Sequence, residues 1–179
     1  MKRSCACVVL TVSCVLWTCA LVASDPPGGE SDTSKLAPGL TEQATRLTAE
    51  IAIQPEKLEL YSQRGDARFF LGRFTEAVAD YERMVELDAK QDASHWRRGI
   101  ALFYAEKYEQ AAGQFERYHS FDNVDRENGI WRYLSQVKAY GKERARQDLL
   151  KYEKDDREPF PDVYQLFAGK IEPDAILQR

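Results

Sequence analysis

Residues 58–91 read LELYSQRGDARFFLGRFTEAVADYERMVELDAKQ, and residues 92–125 read DASHWRRGIALFYAEKYEQAAGQFERYHSFDNVD. Laid over each other at a spacing of 34, the two stretches agree at the positions that matter for packing. Arg64 falls on Arg98, Gly65 on Gly99, Ala67 on Ala101 and Phe69 on Phe103. Ala77 falls on Ala111, Glu82 on Glu116, Arg83 on Arg117 and Asp88 on Asp122, while Phe74 meets Tyr108 and Tyr81 meets Phe115. The period is that of a helix–turn–helix repeat. Small residues at Gly65 and Ala77 let two backbones approach, and the aromatics fill the space beside them.

The pattern continues weakly both ways. Leu47 and Pro55 fall on the register of Tyr81 and Ala89, so residues 40–54 read as a lone second helix closed by Pro55. Tyr133, Ala145 and Leu149 fall on Gly99, Ala111 and Phe115, so 126–153 read as a third, degenerate unit with Gly141 near its turn. Asp125 with Asn128 suits a cap for its first helix. Terminal repeats are commonly atypical because they lack a neighbour on one side. Pro161 and Asp162 open a further helix with Val163, Tyr164, Leu166 and Phe167 on its apolar side and Gly169 at its end. Pro173 opens a last short one carrying Ile176 and Leu177.

These residues resemble the tetratricopeptide repeat family: the small residue where two helices meet, the aromatic opening the second helix, the alanine at the crossing and the aromatic four residues on. Arg68 and Leu102 depart from the family's usual aromatic, and Ala89 and Asn123 from its closing proline. The stretches ENGIWRYLSQ (127–136), ERARQDLL (143–150) and DREPFPDVYQLFAGKIEPDAIL (156–177) resemble the C-terminal part of exported, lipoprotein NlpI-like members. The resemblance implies an all-α, right-handed solenoid of about three repeat units over 40–159, with a capping segment at 160–179. It also implies an adaptor that brings envelope proteins together.

Residues 1–24 read as a secretory signal: Lys2 and Arg3, an uncharged apolar stretch over 4–23, then the small residues Ala23 and Ser24 before Asp25-Pro26-Pro27. An uncleaved anchor is the alternative, since twenty uncharged residues can just span a bilayer. All four cysteines (Cys5, Cys7, Cys14, Cys19) lie in this segment. A lipidation site at Cys19 or Cys14 is a further alternative, although Trp17 and Thr18 fit it poorly. Cleavage would leave a chain with no disulfide and no thiolate chemistry. Residues 25–39, rich in Pro, Gly and Ser, read as a flexible tether.

Charge narrows the partner. The formal net charge is −4, and losing Lys2 and Arg3 leaves 23 basic residues against 29 acids, a net of −6. Binding driven by neutralising phosphates is not expected, so nucleic acid is not the partner. A membrane enters only through an uncleaved or lipidated N-terminus.

Chemistry is hard to find. His95, read as part of a first helix, and His119, at the end of a second, are the two histidines. A lone histidine is more often structural or solvated than catalytic. The run Asp122-Asn123-Val124-Asp125 lacks the ligand and glycine spacing of a calcium loop. Asp155, Asp156 and Glu158 read as a solvated turn. No metal motif, nucleophile elbow or phosphate-cradling loop is present. The expectation is a non-enzymatic protein without cofactor or metal.

In the family, the first helix of each unit lines the concave face. Carried over by register, that implies a groove holding Asp66 and Phe70 from the first unit, with Ser62 and Phe69 beside them. The second unit gives Trp96, Ile100 and Tyr104, and the third Trp131, Leu134 and Lys138. The groove lacks the lysine–asparagine set that clamps a peptide carboxylate in chaperone-binding members. Its aromatics suit an apolar or helical segment of another exported protein. Phe69 and Phe103 recur in both repeats and read as packing residues. Arg64 and Arg98 also recur, which points to ion pairs between helices. The C-terminal segment needs a surface for Tyr164, Leu166 and Phe167, either the end of the last repeat or the groove itself. A self-associating assembly component with a self-filled groove is therefore the rival reading.

Overall fold

A computed structural model describes residues 33–154 and 156–178. The signal-like segment, its four cysteines and the start of the proposed tether lie outside the described residues, as does Asp155. Ten helices and no strand occur among the described residues. They are α1 (Thr33–Ile53), α2 (Leu58–Phe70), α3 (Phe74–Leu87), α4 (Gln91–Ser94) and α5 (Trp96–Tyr104), then α6 (Tyr108–Phe121), α7 (Arg126–Tyr140), α8 (Lys142–Gln147), α9 (Phe160–Phe167) and α10 (Asp174–Leu177). Packing runs along the chain: α1 on α2, α2 on α3, α3 on α5, α5 on α6, α6 on α7, then α7 on α8 and α9. The core follows the same path, from Leu47 and Ile51 through Tyr81 and Met84 to Phe115.

The two repeats fold alike. A Cβ on Gly65 would lie 2.6 Å from Tyr81 Cε1, and one on Gly99 would lie 2.6 Å from Phe115 Cζ. Both glycines are therefore demanded by an aromatic ring seated against the helix backbone. Ala77 and Ala111 have no exposed surface. The turn closing each first helix is the same. Arg73 N donates to Arg68 O and Gly72 N to Phe69 O, while Lys107 N donates to Leu102 O and Glu106 N to Phe103 O. This double bond needs a left-handed residue. Gly72 supplies it at φ 73°, and Glu106 adopts it at φ 60° without glycine's freedom.

A third echo is an arginine. Arg64 Nε donates to both carboxylate oxygens of Asp80 at 3.1 Å. One repeat later Arg98 Nε donates to Gln114 Oε1 at 2.9 Å. One repeat later again Arg132 donates to the backbone oxygen of Asp148. Each arginine thus ties a first helix to a residue sixteen positions on.

Three expectations need correction. Helix α1 begins at Thr33, so residues 33–39 are helical rather than tether. Leu36 and Leu40, one turn apart, line a cleft with Phe70 and Leu71, and Pro38 lies inside the helix, in its second turn. His95 is not inside a first helix but separates α4 from α5, its Nδ1 accepting from Arg98 N at 3.3 Å. The third unit, read as 126–153, has only the six-residue α8 as its second helix, and 148–153 are not helical. Ala145 is buried in register, but the chain leaves the helix at Asp148, whose carbonyl Arg132 takes.

The released segment returns to α7. Phe167 stacks on Tyr133 at 4.6 Å, and Tyr164 OH donates to Leu150 O at 2.8 Å. Tyr133 stands where Gly99 stood, so α9 covers the face that a ring of the unit's own second helix covers earlier. Asp125 caps α7 by accepting from Glu127 N at 3.1 Å.

Candidate functional site

The aromatic residues of the repeats form a continuous ladder. Phe69 meets Phe74 edge-on at 5.4 Å, and its repeat partner Phe103 meets Tyr108 at 5.5 Å. Tyr104 stacks on Phe74 at 4.9 Å and reaches Trp131, which also meets Phe103 at 5.4 Å. Trp131 lies parallel to Phe115 at 6.3 Å. Such contacts contribute about 0.5–1.5 kcal/mol each beyond area, so the ladder stiffens the wall it forms. Phe69 and Phe103 are half-buried against the core, as their recurrence suggests.

Two clefts open beside it. The larger, about 600 Å³, lies between α2 and α5. Phe69, Phe70, Trp96 and Ile100 form its apolar walls, with Asp66, Arg97 and Tyr81 completing it. Asp66 is fixed there, since Tyr81 OH donates to its Oδ1 at 2.7 Å and Arg97 pairs with Oδ2. Burial and the Asp66 charge push the Tyr81 hydroxyl well above the usual phenol range. It remains a donor at any physiological pH.

The smaller cleft, about 210 Å³, lies between α5 and α7 and shares Trp96 and Ile100 with the first. Tyr118 and Trp131 add aromatic surface, and Asp125, Glu127 and Asn128 add polar groups. Burial raises the Asp125 carboxyl above the ordinary range. Phe70 is 73% exposed, Trp96 47% and Tyr104 48%, large values for rings that share a wall.

Of the expected groove residues, the structure brings Asp66, Phe70, Trp96 and Ile100 into one cleft and Trp96, Ile100 and Trp131 into the next. Tyr104 lines neither but belongs to the ladder. Leu134 is half-buried and lines neither. Lys138 is placed elsewhere, beside Glu106, Lys107 and Tyr108 at the turn between α5 and α6. The repeat pattern does not single out Arg97, Tyr118, Asp125 or Glu127. Arg97 and Tyr118 occupy positions with no counterpart signal, and the two acids flank the start of α7. No residue of 160–178 lines either cleft.

Compared with profiles of known protein families, the sequence matches none. Among the described residues no helix is long and apolar enough to cross a membrane. Nor do three or more His, Cys, Asp or Glu side chains among them gather as a metal site would require. His95 is buried, and that burial lowers it to about 4, so it is neutral at physiological pH.

Proposed function

We propose that the chain is an exported, non-enzymatic adaptor of the tetratricopeptide class. Its helix pairs would wind as a right-handed solenoid of about three units, capped by α9. Its concave face would hold an apolar or helical segment of another envelope protein. The observation that carries this reading is the exposed aromatic wall of Phe70, Trp96 and Tyr104, continuous with two clefts that share Trp96. Exposed rings on a rigid backing resemble the anchors that dominate protein–protein interfaces. Presentation of a preformed surface, not a reaction, is the mechanism that such a wall supports.

The test is crosslinking capture from the native exported fraction, with the full chain as bait and a Trp96→Ala/Tyr104→Ala variant, confirmed folded by circular dichroism, beside it. Capture of one protein by the wild type, lost in the variant, upholds the adaptor. Recovery of the bait alone, with a molar mass above the monomer that survives dilution, favours self-assembly instead.

A further inference from the structure

The two clefts differ in character although they share a wall. The larger is apolar, and its ionic groups, Asp66 and Arg97, already neutralise each other. The smaller is lined by two tryptophans and a tyrosine together with two carboxylates. Asp122 and Asp156 stand just behind those carboxylates. Asp122 Oδ1 accepts from Asp125 N at 3.2 Å, and Asp156 Oδ2 accepts from Arg126 N at 2.7 Å. Four acids thus crowd the start of α7.

The cations facing them are fewer. Arg157 serves Glu127 at 2.7 Å, and Asp125 and Asp156 at 3.5 Å each, while itself 55% exposed. Arg126 holds its guanidinium over the Tyr152 ring at 5.1 Å. The cleft mouth therefore keeps an excess of negative charge beside aromatic faces. That combination attracts a cation twice, by Coulomb energy and by the ring quadrupole.

Resting on the adaptor reading, we propose that the partner segment is bipartite. A bulky apolar side chain enters the cleft between α2 and α5. An arginine or lysine enters the cleft between α5 and α7, against Asp125, Glu127 and the Trp96 and Trp131 rings. The clefts are one helix apart, so the two side chains stand about 8–10 Å apart. That is roughly seven residues along a helix or three along an extended chain. Arg157, from the chain's own C-terminal segment, is the cation that the incoming one competes with at Glu127.

The experiment is selection of a random peptide library on the full chain, on Trp96→Ala, on Glu127→Gln and on Arg157→Gln. Affinities of the selected peptides and of their Arg→Gln or Lys→Gln versions are then measured. The expected winners for the wild type carry an apolar residue and a basic residue at one of those spacings. Neutralising the basic residue weakens them about 3- to 30-fold, the range of an aromatic-backed cation contact. Glu127→Gln erases that difference while apolar selection persists. Arg157→Gln widens it, because the competing guanidinium is gone. Winners that need Trp96 but show no basic preference, or an acidic one, overturn the bipartite inference and leave the groove standing. If Trp96→Ala selects the same peptides as the wild type, or neither selects any, the groove reading falls with it.

Discussion

The seat of Phe115 on Gly99 gives the sharpest test of how the repeat packs. An added Cβ at Gly99 would lie 2.6, 2.8 and 3.0 Å from three carbons of that ring. The ring cannot swing aside, because it has no exposed surface and Trp131 lies parallel behind it. Overpacking costs about 1–3 kcal/mol, and an approach of 2.6 Å to a buried ring belongs to the upper part of that range, about 2–3 kcal/mol. Replacing a helical glycine by alanine returns about 1 kcal/mol of backbone entropy. Gly99→Ala is thus expected to destabilise by about 1–2 kcal/mol. Phe115→Leu alone should cost about 1–2 kcal/mol for lost burial. In the double variant the clash is absent and the helix gain remains, so the cycle should show a favourable coupling of about 2 kcal/mol. Gly113→Ala is the control, since its Cβ meets nothing nearer than Arg117 Nη1 at 3.6 Å, and it should stabilise by up to about 1 kcal/mol. Urea unfolding followed by far-UV circular dichroism, with unchanged m-values, reads all four. Additive single effects, or a Gly99→Ala protein as stable as the wild type, would refute the packing argument.

Asp80→Asn should cost about 3 kcal/mol in the same assay, because Arg64 and Arg68 both end on that buried carboxylate and would be left facing each other. Asp80→Gln should not recover it, although Gln114 holds the equivalent place, since Arg98 also has Asp92 where the first unit has Leu58. For His95 the folded value of about 4 lies below the unfolded value of about 6.5, so the unfolded chain binds the extra proton as pH falls. Its contribution is complete above pH about 6.5 and lost towards pH about 4, roughly 3 kcal/mol in all; His95→Asn, which keeps an acceptor for Arg98 N, should flatten that slope. Glu106→Gly should stabilise by about 1 kcal/mol by relieving the φ of 60° that Gly72 tolerates in the sister turn. Deleting 160–179 strips Phe167 from Tyr133 and should lower Tm by about 5–10 °C, taking roughly 3 kcal/mol for the uncovered side chains; an unmoved Tm would show that α9 caps nothing.

The parts of the fold that could be read in the sequence are those where one residue type alone solves a packing problem. Gly65 and Gly99, Ala77 and Ala111, and the rings beside them repeat because two helices must touch there. The start of α1 was hidden for the opposite reason. Pro38 and Gly39 look like linker, yet the helix runs through both from Thr33, and the apolar Leu36 and Leu40 that share a cleft with Phe70 and Leu71 carry no repeat signal. The shortness of α8 was hidden too. Its register is helical, with Ala145 in place, but the carbonyl of Asp148 goes to Arg132, and Tyr152 and Tyr164 crowd Gly129 so closely that a Cβ there would lie 2.6 Å from Tyr152 Oη.

Arg132 shows how a repeat outlives its own pattern. It stands 34 residues after Arg98, although the glycine that follows Arg98 is replaced by Tyr133. The structure keeps the arginine's task, tying first helix to the residue sixteen on, while its acceptor changes from carboxylate to amide to backbone carbonyl. The glycine's task is abandoned because no ring from α8 needs the space, and α9 brings Phe167 to Tyr133 instead. The candidate site obeys the same logic in reverse. Trp96 and Ile100 have no aromatic or aliphatic counterpart in the first repeat, where Ser62 and Asp66 stand; Ile100 packs against the core, whereas Trp96 is 47% exposed and outside it. Trp96 is thus a side chain that the core does not need and that two clefts share, so the exposed aromatic wall is most legible at the position where the repeat fails.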